Sequence, residues 1–135
     1  MARGGGALTL IALAVAGVLL VAAVFLGLVE ARVGWSGSTL PNRIHYTYLL
    51  FTGSESSLFT VEAGKTLVLS YDVEVEGGSL TIKVRKGVEQ TIWERSFHES
   101  SSGSAEIGLE EAGAYFVVVK GEAARGGFDV RWEVR

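Results

Sequence analysis

The chain has no cysteine, two histidines and one proline in 135 residues. Without cysteine it can form neither a disulfide nor a lipoprotein anchor, and it offers no thiolate to complete a zinc site. The missing cysteines do not fix a compartment, because many extracytoplasmic domains fold without disulfides and cytosolic ones rarely contain any. His45 and His98 lack the spacing of a metal motif, so both read as structural or surface residues. Excess positive charge is also absent: the net charge is −3, and Lys83, Arg85 and Lys86 are interleaved with carboxylates. Nucleic-acid binders carry a basic patch or stripe, so nucleic acid is not an expected partner.

One long apolar run is present. Ala7 to Val29 is 23 residues without a charge, interrupted only by Thr9, Gly17 and Gly27. About 20 apolar residues span a bilayer. A cleaved signal has an h-region of roughly 7–15 residues and a small-x-small cleavage site, and here only Val29-Glu30-Ala31 approaches one. The run is therefore expected to be an uncleaved signal-anchor helix in contact with membrane lipid. Its position favours the N-terminus inside and the following domain on the extracytoplasmic side. The expected division is a short segment over 1–6, a transmembrane helix over 7–29, a tether over 30–41 and a β-domain over 42–135. Ala12, Ala16, Ala23 and Gly27 fall within roughly a 60° arc of such a helix, a stripe that lets helices approach closely. In the Gly/Ser-containing tether, closed by Pro41, Trp35 is placed either at the headgroup level or against the domain's edge.

Beyond Pro41 every signal is β. Tyr46–Phe51 and Leu58–Val61 are rich in strand formers, and Thr66–Glu76 alternates strictly between apolar and polar residues. Gly77-Gly78 reads as a two-residue hairpin turn, with Leu80, Ile82 and Val84 on the return strand. That register sets Asp72 opposite Lys83. Further strands are expected at 91–97, 105–109, 115–120 and 128–134, separated by HESSSGS, EEAG and EAARGG. About eight short strands at this spacing predict an all-β antiparallel sandwich of jelly-roll type behind one N-terminal helix. The predicted core is Leu67, Leu69, Tyr71, Val73, Leu80, Ile82, Val84, Ile107, Tyr115, Val117, Val119, Phe128, Val130 and Trp132. A domain of this length sustains such a core without disulfides or metals.

Candidate chemistry is sparse. Asp72, Glu74 and Glu76 share one strand face, but calcium takes oxygen ligands converging from loops, so this reads as a solvated face. Ser100-Ser101-Ser102 lacks the strained elbow and partnered base of a nucleophile. No catalytic residue, cofactor or metal ligand set is expected, and the protein is read as no enzyme. Trp93 and Phe97 are candidate partner contacts on an outer face.

Phe59, Val61 and Gly64 form an F-x-V-x-x-G opening, Gly113 and Tyr115 a G-x-Y, and Gly126, Phe128, Val130 and Trp132 a closing G-x-F-x-V-x-W strand. Over about 58–134 this pattern resembles a GOLD or emp24-like β-sandwich. The resemblance implies a lumenal or extracellular placement and a role in protein interaction. Here the apolar run comes first and no coiled coil is present, so cargo transport is not implied. The resulting expectation is a membrane-anchored extracytoplasmic sandwich serving as an interaction or accessory subunit with protein partners. The alternative is a secreted or surface binding module, for carbohydrate or calcium-dependent adhesion, released by signal cleavage.

Overall fold

Three apolar-alternating runs form strands long enough to serve two sheets each. The computed structural model describes residues 30–88 and 90–135. The strands are β1 (Ala31–Val33), β2 (Ser36–Leu40), β3 (Arg43–Val61), β4 (Lys65–Lys86), β5 (Gln90–Phe97), β6 (Ser101–Leu109) and β7 (Gly113–Val134). All pairings are antiparallel, and β7 lies between β3 and β4 along their length. Each of these three strands bends near its middle. Their halves at 43–48, 126–134 and 67–75, flanked by β2 and β6, form the first sheet. The halves at 53–61, 113–121 and 79–86, flanked by β5 and with β1 beside the bend of β3, form the second. The two sheets pack face to face as a β-sandwich.

The bend has a simple signature. Along β3 the inward residues are even-numbered up to Tyr48 and odd-numbered from Phe51. In β4 they change from odd to even between Val75 and Leu80, and in β7 from odd at Val119 to even at Ala124. The ladder registers slip at the same places, between Tyr48 and Gly53 and between Val75 and Ser79. One extra residue per strand turns the corner as a β-bulge and reverses the alternation.

This corrects the hairpin reading. Gly77-Gly78 is part of the bend inside β4, and its two flanks lie in different sheets. Asp72 faces Ser102 and Asp129, while Lys83 faces Glu94 and Val118. A two-residue turn needs φ > 0 at both glycines of the type I′ form, but only Gly78 (φ 68°) has it. EAARGG is likewise the bend within β7, and GSES lies within β3, so three pairs of expected strands are single strands; with β1 and β2 added, the described residues form seven. Residues 31–33 and 36–40 of the expected tether are β1 and β2, paired to β3. The expected transmembrane helix over 7–29, with Ala12, Ala16, Ala23 and Gly27, lies outside the described residues. Among the described residues no helix is long and apolar enough to cross a membrane.

All fourteen predicted core residues are buried, joined by Ile44, Tyr48, Phe51, Val75, Phe97, Leu109 and Ala124. Val134, in line with them at the end of β7, is 40% exposed. Trp35 belongs to the domain: its ring stacks on Tyr46 at 4.1 Å and lies 4.7 Å from Phe51. The Arg32 guanidinium covers its other side at 4.5 Å.

Inward-pointing charged residues close both open edges of the sandwich, a common protection for edge strands. Glu55 is in register with buried Val119. Its carboxylate accepts hydrogen bonds from Arg32 Nη1 (2.8 Å) and from Thr39 Oγ1 of the opposite sheet (2.7 Å). At the other edge Arg95, in register with Ile82, donates to the Tyr71 hydroxyl across the sandwich (2.5 Å).

Candidate functional site

The outward residues of the first sheet form rows that cross four or five of its strands. One row runs Ser38, His45, Asp129, Asp72, Ser102; the next runs Ser36, Thr47, Gly127, Glu74. On the other side of the first row lie Leu40, Arg43, Arg131, Ser70 and Ser104. Strand alternation puts every second residue on this face. Apart from Leu40 and His45 their side chains are small or charged, and no phenylalanine, tyrosine or tryptophan points out among them.

Three adjoining depressions open on this face. One of about 440 Å³ is rimmed by Ser36, His45, Thr47, Asp72, Glu74 and Asp129, with Gly37 and the inward-alternating Tyr46 and Phe128 also in its lining. Gly127 forms part of its floor, with no side chain to fill the dent; a Cβ there would stand 2.9 Å from the Tyr46 carbonyl oxygen. A second, of about 450 Å³, is lined by Leu40, Asn42, Arg43, Val68, Ser70 and Arg131 among others. A smaller hollow bounded by Ser70, Asp72, Asp129 and Arg131 connects them. Together they make a groove across the sheet.

Asp129 sits at its centre, held by two arginines. Arg43 bonds it through Nε (2.9 Å) and Nη2 (2.8 Å), and Arg131 through Nη2 (2.8 Å) and more distantly Nε (3.4 Å). Burial opposes ionisation of this carboxyl, but hydrogen bonds from Arg131 and Arg43 prevail and hold it down at about 2. Planar guanidinium forks on one carboxylate fix all three side chains as a rigid ridge. Asp72 accepts a hydrogen bond from Ser102 Oγ at 3.1 Å. The face therefore presents oriented carboxylates, guanidinium N–H groups, hydroxyls and one imidazole to solvent. Such a set hydrogen-bonds a polar ligand. Among the described residues no hydroxyl of this face hydrogen-bonds His45.

The partner contacts expected from the sequence lie elsewhere. Phe97 is 6% exposed and packs on Tyr71 with ring centroids 5.0 Å apart, so it is core and offers no contact surface. A bulge at Ile92 puts Trp93 opposite Val84 on the inner side of β5, half-buried, with Arg95 at 5.9 Å from its ring. Asp72 and Glu74 do border the groove, but as neighbours of β6 and β7. Among the described residues no three His, Asp or Glu side chains are placed to hold a metal ion. The sequence pattern put Asp129 and Arg131 outside, yet gave no sign of Arg43, which is 86 positions from its partner.

No protein-family model and no curated protein matches the chain. Solved structures do. A CBM4 carbohydrate-binding module superposes with a TM-score of 0.54 at 8% identity, covering 78% of this chain and 76% of the module. The pre-peptidase C-terminal domain of a Bacillus anthracis collagenase gives 0.50 at 13%, covering 70% and 90%. The C-terminal CBM6 of LamC from Zobellia galactanivorans gives 0.44 at 18%, covering 78% and 88%. The chain shares the fold of small β-sandwich domains. These are not GOLD domains, so the resemblance read from the sequence narrows to that of one β-sandwich to another.

Proposed function

We propose that this chain is a non-catalytic binding module whose ligand is a hydroxyl-rich polymer, a carbohydrate, seated in the groove on the first sheet. The observation that carries this reading is the Gly127-floored groove with its fixed Arg43–Asp129–Arg131 ridge. Sugar hydroxyls donate to carboxylates and accept from guanidinium groups, and Asp72, Glu74, Asp129 and the two arginines supply both kinds of partner. Similarity of fold to carbohydrate-binding modules supports the same reading. The groove has no exposed aromatic platform, so binding rests on hydrogen bonds and is sensitive to single polar substitutions. The Ala7–Val29 run supplies the address: an uncleaved anchor holding the module at the extracytoplasmic face of a membrane. No cofactor takes part.

Affinity electrophoresis of the detergent-solubilised full chain through gels containing different polysaccharides tests this. At least one polysaccharide should retard the protein, and Asp72→Ala with Glu74→Ala should abolish the retardation while leaving the melting temperature nearly unchanged. Uniform mobility in every gel, or retardation unaffected by the double substitution, would overturn the proposal.

A further inference from the structure

The outer face of the second sheet has a different character. Leu58, in register with Phe116, is 53% exposed, and Phe116 and Val118 lie half-exposed beside it. Val88, in the β4–β5 connection, is 80% exposed near the end of this stripe, where Gly87 N–H donates to the Ala114 carbonyl. Cations flank the stripe: Lys83 is in register with Val118, Arg85 with Phe116, and Lys120 follows Val118 on the same side. Lys83 and Arg85 make no ion pair among the described residues, and Lys120 reaches Glu122 at 3.5 Å. Glu94, opposite Lys83, and Glu122, opposite Ser79 and next to Lys120 in the outward alternation, are the carboxylates in these rows. The first sheet's outer face instead carries Asp72, Glu74, Glu106, Asp129 and Glu133 against Arg43 and Arg131. The sandwich is thus polarised, with one face acidic and polar and the other apolar and cationic.

The chain also enters on the second sheet's side. Glu30 packs against Gly53, where an added Cβ would stand 2.6 Å from Glu30 Cγ, and Arg32 Nη2 donates to the Ser54 carbonyl (2.7 Å). Ser54 belongs to the outer row of the second sheet, beside Lys120. The apolar run ends at Val29, one residue before Glu30. With β1 beginning at Ala31, a single residue of sequence separates the run from the first strand, so the chain between them can reach only a few ångströms, at most about 3.6 Å per residue.

We propose that the outer face of the second sheet docks on an anionic bilayer surface, with Leu58, Phe116, Val118 and Val88 at headgroup depth and Lys83, Arg85 and Lys120 on lipid phosphates or carboxylates. This rests on the anchor reading of Ala7–Val29, not on the identity of the groove's ligand. Apolar side chains ringed by cations match such a surface, and tethering makes docking intramolecular. It also turns the groove on the first sheet away from the membrane, towards outside ligands.

Because the chain has no cysteine, Ser56→Cys and Ser70→Cys each place a single environment-sensitive fluorophore, one on each outer face. The full chain is reconstituted in vesicles of phosphatidylcholine with or without phosphatidylserine, and headgroup-level spin-labelled lipid is the quencher. The probe at 56 should be quenched in phosphatidylserine vesicles and released by high salt, while the probe at 70 stays unquenched. Combining Lys83→Gln, Arg85→Gln and Lys120→Gln should lower the docked-to-undocked ratio by about a hundredfold. Equal quenching at both positions, or none at 56, overturns the docking. A probe at 56 shielded equally in detergent without lipid assigns the face to a second copy or another protein, and also overturns it. Loss of the chain from floated vesicles after a carbonate wash removes the anchor reading and the docking with it, leaving the polysaccharide test of the groove unaffected.

Discussion

Gly78 and Ala123 meet where β4 and β7 cross from one sheet to the other, and both have left-handed backbones, with φ of 68° and 47°. A Cβ on Gly78 would overlap the Ala123 carbonyl oxygen. Gly78 is therefore fixed twice, by its own φ and by the neighbouring strand. Ala123 keeps its conformation partly through its N–H, which donates to Thr52 Oγ1 at 2.9 Å.

Gly78→Ala should consequently cost more than Gly87→Ala. Gly87 has a similar φ of 64° but nothing within 4 Å of its Cβ position, so its cost is the conformational one alone, about 1–2 kcal/mol. Gly78→Ala adds displacement of β7. Ala123→Gly should relieve strain and leave stability unchanged or raised by up to about 1 kcal/mol. Chemical denaturation of the three variants reads this directly. Equal losses for Gly78→Ala and Gly87→Ala would mean that the two strands do not meet at the corner.

Ile82 and Lys83 test the faces of the second half of β4. Ile82 is fully buried between β5 and β7, so Ile82→Ala should cost about 2–5 kcal/mol. Lys83 makes no ion pair among the described residues, and Lys83→Ala should change stability by less than about 0.5 kcal/mol. Thermal melts of both variants check the order. A larger loss for the lysine would reverse the assignment of faces.

Val75 and Leu80, on either side of Gly77-Gly78, show why the core was legible and the topology was not. A hairpin turning at Gly77-Gly78 would put Val75 opposite Leu80 with both facing inward. A single strand bent by one extra residue also leaves Val75 and Leu80 inward. The alternation is identical in the two cases, so burial could be read from it while the partner of each strand could not. Gly126-Gly127 in β7 misled for the same reason: paired glycines mark a corner as readily as a turn. Trp35 was ambiguous because an indole near an apolar run suits either lipid or protein, and only Tyr46 and Phe51 beneath it decide. The groove depends on Arg43, Asp129 and Asp72 coming from three strands, and no local pattern announces such a juxtaposition.

Asp129 predicts an acid-side dependence of stability. Its carboxyl is held at about 2 in the folded chain, against roughly 3.9 for an unfolded aspartate. The folded state therefore gains from this group above pH 4, and the gain disappears as the pH falls from there through about 2. Asp129→Asn removes the charge that Arg43 and Arg131 share and should cost about 1–3 kcal/mol at neutral pH. The difference between wild type and variant should shrink steadily from pH 5 to pH 2 in denaturant titrations. A constant difference across that range would show that the arginines do not depend on the charge of Asp129.

The final prediction separates protein from lipid as the environment of Trp35. Its ring lies between the Arg32 guanidinium and Tyr46, at 4.5 and 4.1 Å, with Phe51 close by. Removing it opens a cavity beside the core and unseats Arg32, whose Nη1 also holds Glu55. Trp35→Ala should destabilise the folded chain by about 2–4 kcal/mol, and Trp35→Phe by less, because a smaller ring can still stack. Both effects should be the same in detergent micelles and in vesicles, since the stack is internal to the domain. A tryptophan at the headgroup level would behave otherwise: Trp35→Ala would leave the melt of the domain unchanged and alter only partitioning into lipid. Melting the two variants in both environments distinguishes these outcomes. A flat response of the melt to Trp35→Ala would remove Trp35 from the core's edge and detach β1 and β2 from the sandwich as described.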